Sequence, residues 1–225
     1  MLDTLFAQFE NLIILDLETS GLDFKSDEII ELGAVRAVSI GGELSINKEV
    51  SSLIKLSERK VLSPKITEIT GITQNTLDKD GVEKDFACGL LVDLLSCERP
   101  LIVAYNAQFD LCFMYYFLNR FGKAGILKNA RLLDALTVYK DRRDYPHKLE
   151  NAIEAYGVSV KNTHRAIDDV KATLALLCAM EEEAGDLNRY INLFGYNPKY
   201  GISGPKISSV NYLPQAYSQK KKLYE

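Results

Sequence analysis

The sequence predicts an α/β fold, a single mixed sheet with helices on both faces. Two observations predict it. Within the first 56 residues, three β-type segments follow one another, joined by a turn and by the hairpin signal Gly41-Gly42, which reads as an antiparallel meander. After residue 62 the texture changes to short apolar strands alternating with amphipathic helices, the pattern of a sheet covered by helices.

Taken in order, residues 12–21 (Leu12-Ile13-Ile14-Leu15-Asp16-Leu17-Glu18-Thr19-Ser20-Gly21) open with four apolar residues and end in a turn signal, so they read as a buried strand. A turn over 21–27 leads to a second strand, 28–39, in which Ile30, Leu32, Ala34 and Val38 alternate with polar neighbours, and 43–56 reads as a third. Ser63-Pro64 starts a short helix that runs to Thr70 and stops at Gly71. A helix over 82–97 carries Phe86, Leu90, Leu91, Leu94 and Leu95, and Pro100 introduces the apolar strand Leu101-Ile102-Val103-Ala104. Residues 108–121 form a strongly apolar helix. A strand at 131–133 passes through Asp134, an N-cap, into a helix ending in Lys140-Asp141-Arg142-Arg143; helices over 149–156 and 166–183 follow. Beyond residue 183, Asn, Gly, Pro, Ser and Tyr dominate and the run Lys220-Lys221-Lys222 comes near the end. We therefore expect a domain over 1–185 and a C-terminal extension over 186–225, either folded over the domain or serving as a partner-binding tail.

With 225 residues, 47% of them hydrophobic, the chain has ample material for a core. The start Met1-Leu2-Asp3-Thr4-Leu5-Phe6 has no signal-peptide pattern and no run approaches a membrane span of about 18 to 20 residues, so a cytoplasmic protein with no membrane partner is expected. Cys88, Cys97, Cys112 and Cys178 are widely spaced in apolar helical patterns, as buried reduced thiols are. A net charge of −4 excludes a global field that attracts polyanions; contacts to nucleic acid must be local. Arg142, Arg143, His147 and Lys148 offer either a phosphate track or a solvated helix end.

Side chains alternate along a strand, so Asp16 and Glu18 share a face. Two like charges on a core strand are costly unless a cation neutralises them. On the helix over 108–121, Asp110 falls within roughly 60° of Phe113, Met114, Phe117 and Phe121, inside the apolar stripe. On the last long helix Asp169 lies about 80° from the centre of the buried stripe and Asp168 about 180° from it, so Asp169 is the one that can face a site. His164, just before that helix, has the proton affinity of a base at neutral pH. Asp16, Glu18, Asp110 and Asp169 make an all-oxygen set suited to Mg²⁺ or Mn²⁺. Two such ions roughly 3.5 to 4 Å apart are the arrangement that cleaves phosphodiesters.

The stretches Asp16-Leu17-Glu18-Thr19-Ser20-Gly21-Leu22, Tyr105-Asn106-Ala107-Gln108-Phe109-Asp110 and His164-Arg165-Ala166-Ile167-Asp168-Asp169 resemble the three motifs of the DnaQ-like (DEDDh) 3′-5′ exonucleases, with Ile69-Thr70-Gly71-Ile72 resembling a fourth typical stretch. The resemblance spans about residues 10–183 and is to the epsilon-type proofreading exonuclease of bacterial DNA polymerase III. It implies a ribonuclease H-like, five-stranded mixed sheet, a three-strand antiparallel meander plus two parallel strands. It also implies two divalent cations, Mg²⁺ or Mn²⁺, with Asp16 bridging them, Glu18 and Asp169 on the ion that carries the attacking water, Asp110 supporting the other, and His164 as general base. By the same resemblance Thr19 and Leu22 meet the terminal 3′-hydroxyl and base, Ile72 walls the terminal-base pocket, and Asn106 and Phe109 shape the strand's path. Tyr105 departs from the family, many of whose members have His there.

The expected activity is removal of nucleoside 5′-monophosphates from the 3′ end of single-stranded DNA, with a DNA polymerase subunit as a possible partner. An RNA-trimming enzyme of the oligoribonuclease or ribonuclease T type shares the same catalytic set. A catalytically silent nucleic-acid-binding scaffold would show itself by loss of an acid or of the histidine, and all five residues are present.

Overall fold

The strand over Asn11–Thr19 (β1) lies at the centre of a five-stranded sheet. Ile29–Ile40 (β2) and Glu43–Leu53 (β3) extend it antiparallel on one side, and Pro100–Ala104 (β4) and Arg131–Asp134 (β5) extend it parallel on the other, in the order β3-β2-β1-β4-β5. This computed structural model describes residues 1–160, 165–217 and 223. The strand order is that of the ribonuclease H-like sheet expected above.

The helices are Asp3–Phe6 (α1), Pro64–Thr70 (α2), Gln74–Asp80 (α3), Lys84–Leu95 (α4), Ala107–Arg120 (α5), Ala135–Arg142 (α6), Leu149–Ala155 (α7) and Ala166–Ala184 (α8). Alternation along β1 divides the core between the two sheet faces. Ile13, Leu15 and Leu17 pack with residues of α4 and α5. Leu12 and Ile14 pack with residues of α1, α6, α7 and α8, and Asp16 and Glu18 continue that second row. Among the described residues no helix is long and apolar enough to cross a membrane.

Local chemistry explains most boundaries. Ser63 accepts from the Ile66 N–H at 3.3 Å to cap α2, and Gly71, with φ 71°, closes it. Helix α4 starts at Lys84 rather than at residue 82, because Val82 donates its N–H to Leu53 and bridges to Ile54, ending the third strand three residues short of the expected 56. Helices α1 and α3 were not foreseen; each is only one to two turns long, too short for a periodic pattern to stand out.

The second strand shows why one-dimensional alternation misleads. Ile30, Leu32 and Ala34 alternate with Glu31 and Gly33 as read, yet Ile29 through Val35 are all buried, Glu31 fully so, because α8 packs on the face that carries Glu31 and Gly33. At its start, buried Glu28 accepts from Ser57 N–H at 2.9 Å and Ser57 Oγ at 2.7 Å, and pairs with Lys84 at 3.1 Å and Lys60 at 3.2 Å. These contacts tie β2 to α4 and to the loop after β3.

Beyond α8 the chain returns to the domain. Leu193–Tyr196 (β6) and Asn211–Pro214 (β7) form a two-stranded parallel ribbon. Asn192 exchanges hydrogen bonds with Leu132 of β5, and Gln215 donates to the Thr137 carbonyl at 3.0 Å. Gln108 of α5 donates to the carbonyls of Ser203 and Pro205 at 3.0 and 2.8 Å. Lys220, Lys221 and Lys222 lie outside the described residues.

Burial works against the Glu28 charge, but the Ser57 and lysine contacts outweigh it and hold the carboxyl at about 2, against 4.5 for an ordinary glutamate. Its contribution to stability is therefore complete above about pH 4.5 and is lost as pH falls towards 2. Glu28→Gln should lower the unfolding free energy at neutral pH by on the order of 1–2 kcal/mol and shrink the difference from wild type in acid, measured by urea denaturation at both pH values.

Candidate active site

The site forms at the carboxyl end of β1. Asp16 and Glu18, one pleat apart, follow Leu12 and Ile14 on the α8 side, and α8 brings Asp169 to them. Asp16, Glu18 and Asp169 each offer a carboxylate oxygen, and these oxygens lie within 4.8 Å of one another. Asp169 is buried and Asp168 half-buried. Asp110 reaches the site from the opposite face: its Oδ1 accepts the Leu17 N–H at 3.0 Å, a bond to β1 between the two strand acids.

The carboxylates of the cluster repel one another. Burial, then the neighbouring Asp110, Glu18 and Asp169, pushes the Asp16 carboxyl far above its usual range. Glu18 is pushed up to about 8 by burial and by Asp169 and Glu31, with Arg165 opposing. Asp110 is also raised well above the ordinary value, chiefly by burial. A compact, oxygen-only set whose charges are this unfavourable fits a hard divalent cation, which would replace repulsion by attraction.

Two residues absent from the sequence reading hold α8 in place. Glu31, paired in register with Glu18 across β1 and β2, accepts from Arg165 Nε and Nη2 at 3.0 and 2.7 Å and from the Ala166 N–H at 3.1 Å. Gly33 is the register partner of Asp16, and a Cβ there would sit 2.4 Å from the Ala166 carbonyl carbon. The missing side chain lets the first turn of α8 close onto the sheet beside the strand acids. The signal in the sequence was slight: a glutamate two residues before a glycine in the apolar first half of the strand.

The remaining expected residues divide. His164 lies outside the described residues. Thr19 is buried and its Oγ1 donates to the Gly21 carbonyl at 2.6 Å, while Leu22 is 82% exposed. Asn106 is exposed in a left-handed conformation, φ 71°, with its N–H donated to Asp134 Oδ1 at 2.9 Å. Phe109 is half-buried and packs against Phe113, ring centroids 4.9 Å apart. Ile72 is buried in a satellite cluster with Ile30, Leu62 and Leu77. The basic cluster is also not a free phosphate track. Arg142 and Arg143 both pair with Glu183, at 2.9 and 2.8 Å, and His147 is buried with Nε2 3.0 Å from the Arg143 carbonyl.

The exonuclease family model named RNase_T matches residues 13–177, most of the chain and every described acid of the site. The chain belongs to the DnaQ-like family of 3′-5′ exonucleases. The chain is 37% identical over 166 residues to the DNA polymerase III PolC-type of Thermotoga maritima, a match covering 72% of this chain and 11% of that protein. It is 36% identical over 174 residues to the PolC-type polymerase of Thermotoga petrophila, covering 74% of this chain and 12% of that one. The chain thus corresponds to a small part of these relatives. The 3′-5′ exonuclease DinG of Staphylococcus aureus is 28% identical over 73% of this chain and 17% of its own length. In structure, the zinc-bound E. coli ExoI–ssDNA complex aligns with a TM-score of 0.71 at 22% identity, covering 81% of this chain and 43% of that one, and shares its fold.

Two outcomes follow from this geometry. In the folded chain Glu18 holds its proton up to about pH 8, whereas an ordinary glutamate releases it near 4.5; stability without metal is therefore lost as pH rises through that window. Thermal melts in EDTA should show Tm falling from about pH 4.5 to about pH 8, and excess Mn²⁺ or Mg²⁺ should restore it. Gly33→Ala should lower Tm by roughly 3–10 °C through overpacking against Ala166, followed by circular dichroism.

Proposed function

We propose that this protein is a metal-dependent exonuclease that removes nucleoside 5′-monophosphates from the 3′ end of single-stranded DNA. The observation that carries this reading is the convergence of Asp16, Glu18 and Asp169 to within 4.8 Å, with Asp110 bonded to the intervening backbone. The name of the PolC-type relatives, DNA polymerase III, supports DNA over RNA.

The acids divide the work by position. Asp16, central in the cluster, would bridge two Mg²⁺ or Mn²⁺ ions; Glu18 and Asp169 would hold one and Asp110 would support the other. When bound, such ions make water a stronger nucleophile and stabilise the departing oxygen. The chain's own groups do the rest. His164 takes the proton from the attacking water. Asp110, whose hydrogen bond to Leu17 fixes its orientation, keeps the strand acids in register with α5. Thr19 and exposed Leu22 form a floor for the terminal nucleoside, and Asn106 and Phe109, at the start of α5, flank the strand beyond it. The PolC-type relatives suggest a polymerase as partner, and the contacts of residues 192–215 with β5, α5 and α6 support treating that segment as part of the folded exonuclease.

Asp16→Ala should reduce shortening of 3′-hydroxyl single-stranded DNA by at least about a thousandfold with the fold retained. Full activity of the wild type in excess EDTA would exclude the metal mechanism. Faster trimming of RNA than of DNA of the same sequence would overturn the assignment of substrate.

A further inference from the structure

Three large aromatic side chains sit together in solvent on the α6 side of the domain. Tyr145 is 68% exposed, Tyr200 67% and Tyr217 42%, and with Asp144 they line an open cleft of about 650 Å³. The Tyr217 ring lies 5.4 Å from that of Tyr145 and 6.5 Å from that of Tyr200, and stacks at 23° with His147. Two ammonium groups lie over these rings: Lys140 is 5.8 Å from the Tyr217 centroid and Lys199 is 5.2 Å from that of Tyr200. Rings left this open contribute little to folding, so the cluster offers its faces to something else.

The cleft is tied to the catalytic edge of the sheet. The Tyr105 hydroxyl donates to the His147 carbonyl at 2.8 Å, and Tyr105 follows the last residue of β4 and precedes the helix that carries Asp110.

Open aromatic faces beside ammonium groups match an unpaired base and its flanking phosphate. A duplex keeps its bases stacked on each other, so the complement is a single strand. With a net charge of −4 the chain has no general attraction for polyanions, and local stacking supplies the hold that charge does not. Asp144 also lines the cleft and opposes a phosphate at its own position, which leaves Lys140 and Lys199 as the cationic partners.

We propose that the Tyr145–Tyr200–Tyr217 cleft is a second nucleic-acid subsite, which stacks unpaired bases of a DNA strand away from the 3′ end being cut. The identity of its ligand rests on the exonuclease reading.

The test compares wild type with the double variant Tyr145→Ala/Tyr200→Ala and its control Tyr145→Phe/Tyr200→Phe. On an oligothymidylate of about 20 nucleotides the alanine variant should raise KM roughly five- to twentyfold with kcat unchanged, and the phenylalanine control should behave as wild type. Hydrolysis of a dinucleotide, which holds no bases beyond the bond being cut, should be the same in all three. Fluorescence anisotropy of the labelled oligothymidylate in EDTA should show the same weakening without turnover. Unchanged anisotropy and KM in the alanine variant would overturn the proposal, as would an equal loss on the dinucleotide. If no form hydrolyses DNA but anisotropy still separates the variants, the exonuclease reading fails while the subsite stands.

Discussion

The constraint on which this structure depends is the repulsion among carboxylates placed on one face of a buried strand. Leu12 and Ile14 set a row that packs under α8, and Asp16 and Glu18 continue it where the apolar contacts give way to the site. Carboxylates brought this close and partly desolvated are held far above their usual proton affinity. The fold therefore contains a deliberately unstable patch, and the rest of the sheet supplies the stability that tolerates it. Burial on both sides of β1 and the ladder to β2 and β4 do most of that.

The approach of α8 depends on a second, smaller set of contacts. Gly33 removes the side chain that would hold the helix off the sheet, and Glu31 grips its first turn through Arg165 and the Ala166 N–H. Both residues occupy the row of β2 that faces Asp16 and Glu18 in register. Glu31 adds a further negative charge beside Glu18, and Arg165 offsets part of it. The same strand thus carries the spacing, the grip and the charge balance of the site.

Asp134 acts similarly on the other side of β1. Its Oδ1 accepts from the N–H groups of Asn106, Ala107 and Leu136, while Oδ2 accepts from Thr137 at 2.6 Å. One buried carboxylate thus caps α6 and fixes the left-handed turn at Asn106 from which α5 and Asp110 depart. Thr137 in turn accepts from Gly195 and, through its carbonyl, from Gln215, so the C-terminal ribbon closes over the same network.

The sequence by itself determined the sheet, its long helices and the acids. Periodicity, Gly41-Gly42, Ser63-Pro64 and Asp134 are local signals, and the geometry of a strand and of a helix is enough to set Asp16 beside Glu18 and Asp169 towards the core edge. The family motifs added the expected ligand roles. Tertiary structure alone decided the rest. Glu31 and Gly33 matter only because α8 covers a face of β2 that alternation assigns to solvent. Arg142 and Arg143 read as free cations until Glu183, some forty residues later, is folded against them. Ile72 became core, and tyrosines at 145, 200 and 217 became one cleft, for the same reason: their neighbours are distant in the chain, and no local pattern encodes which distant side chain will arrive.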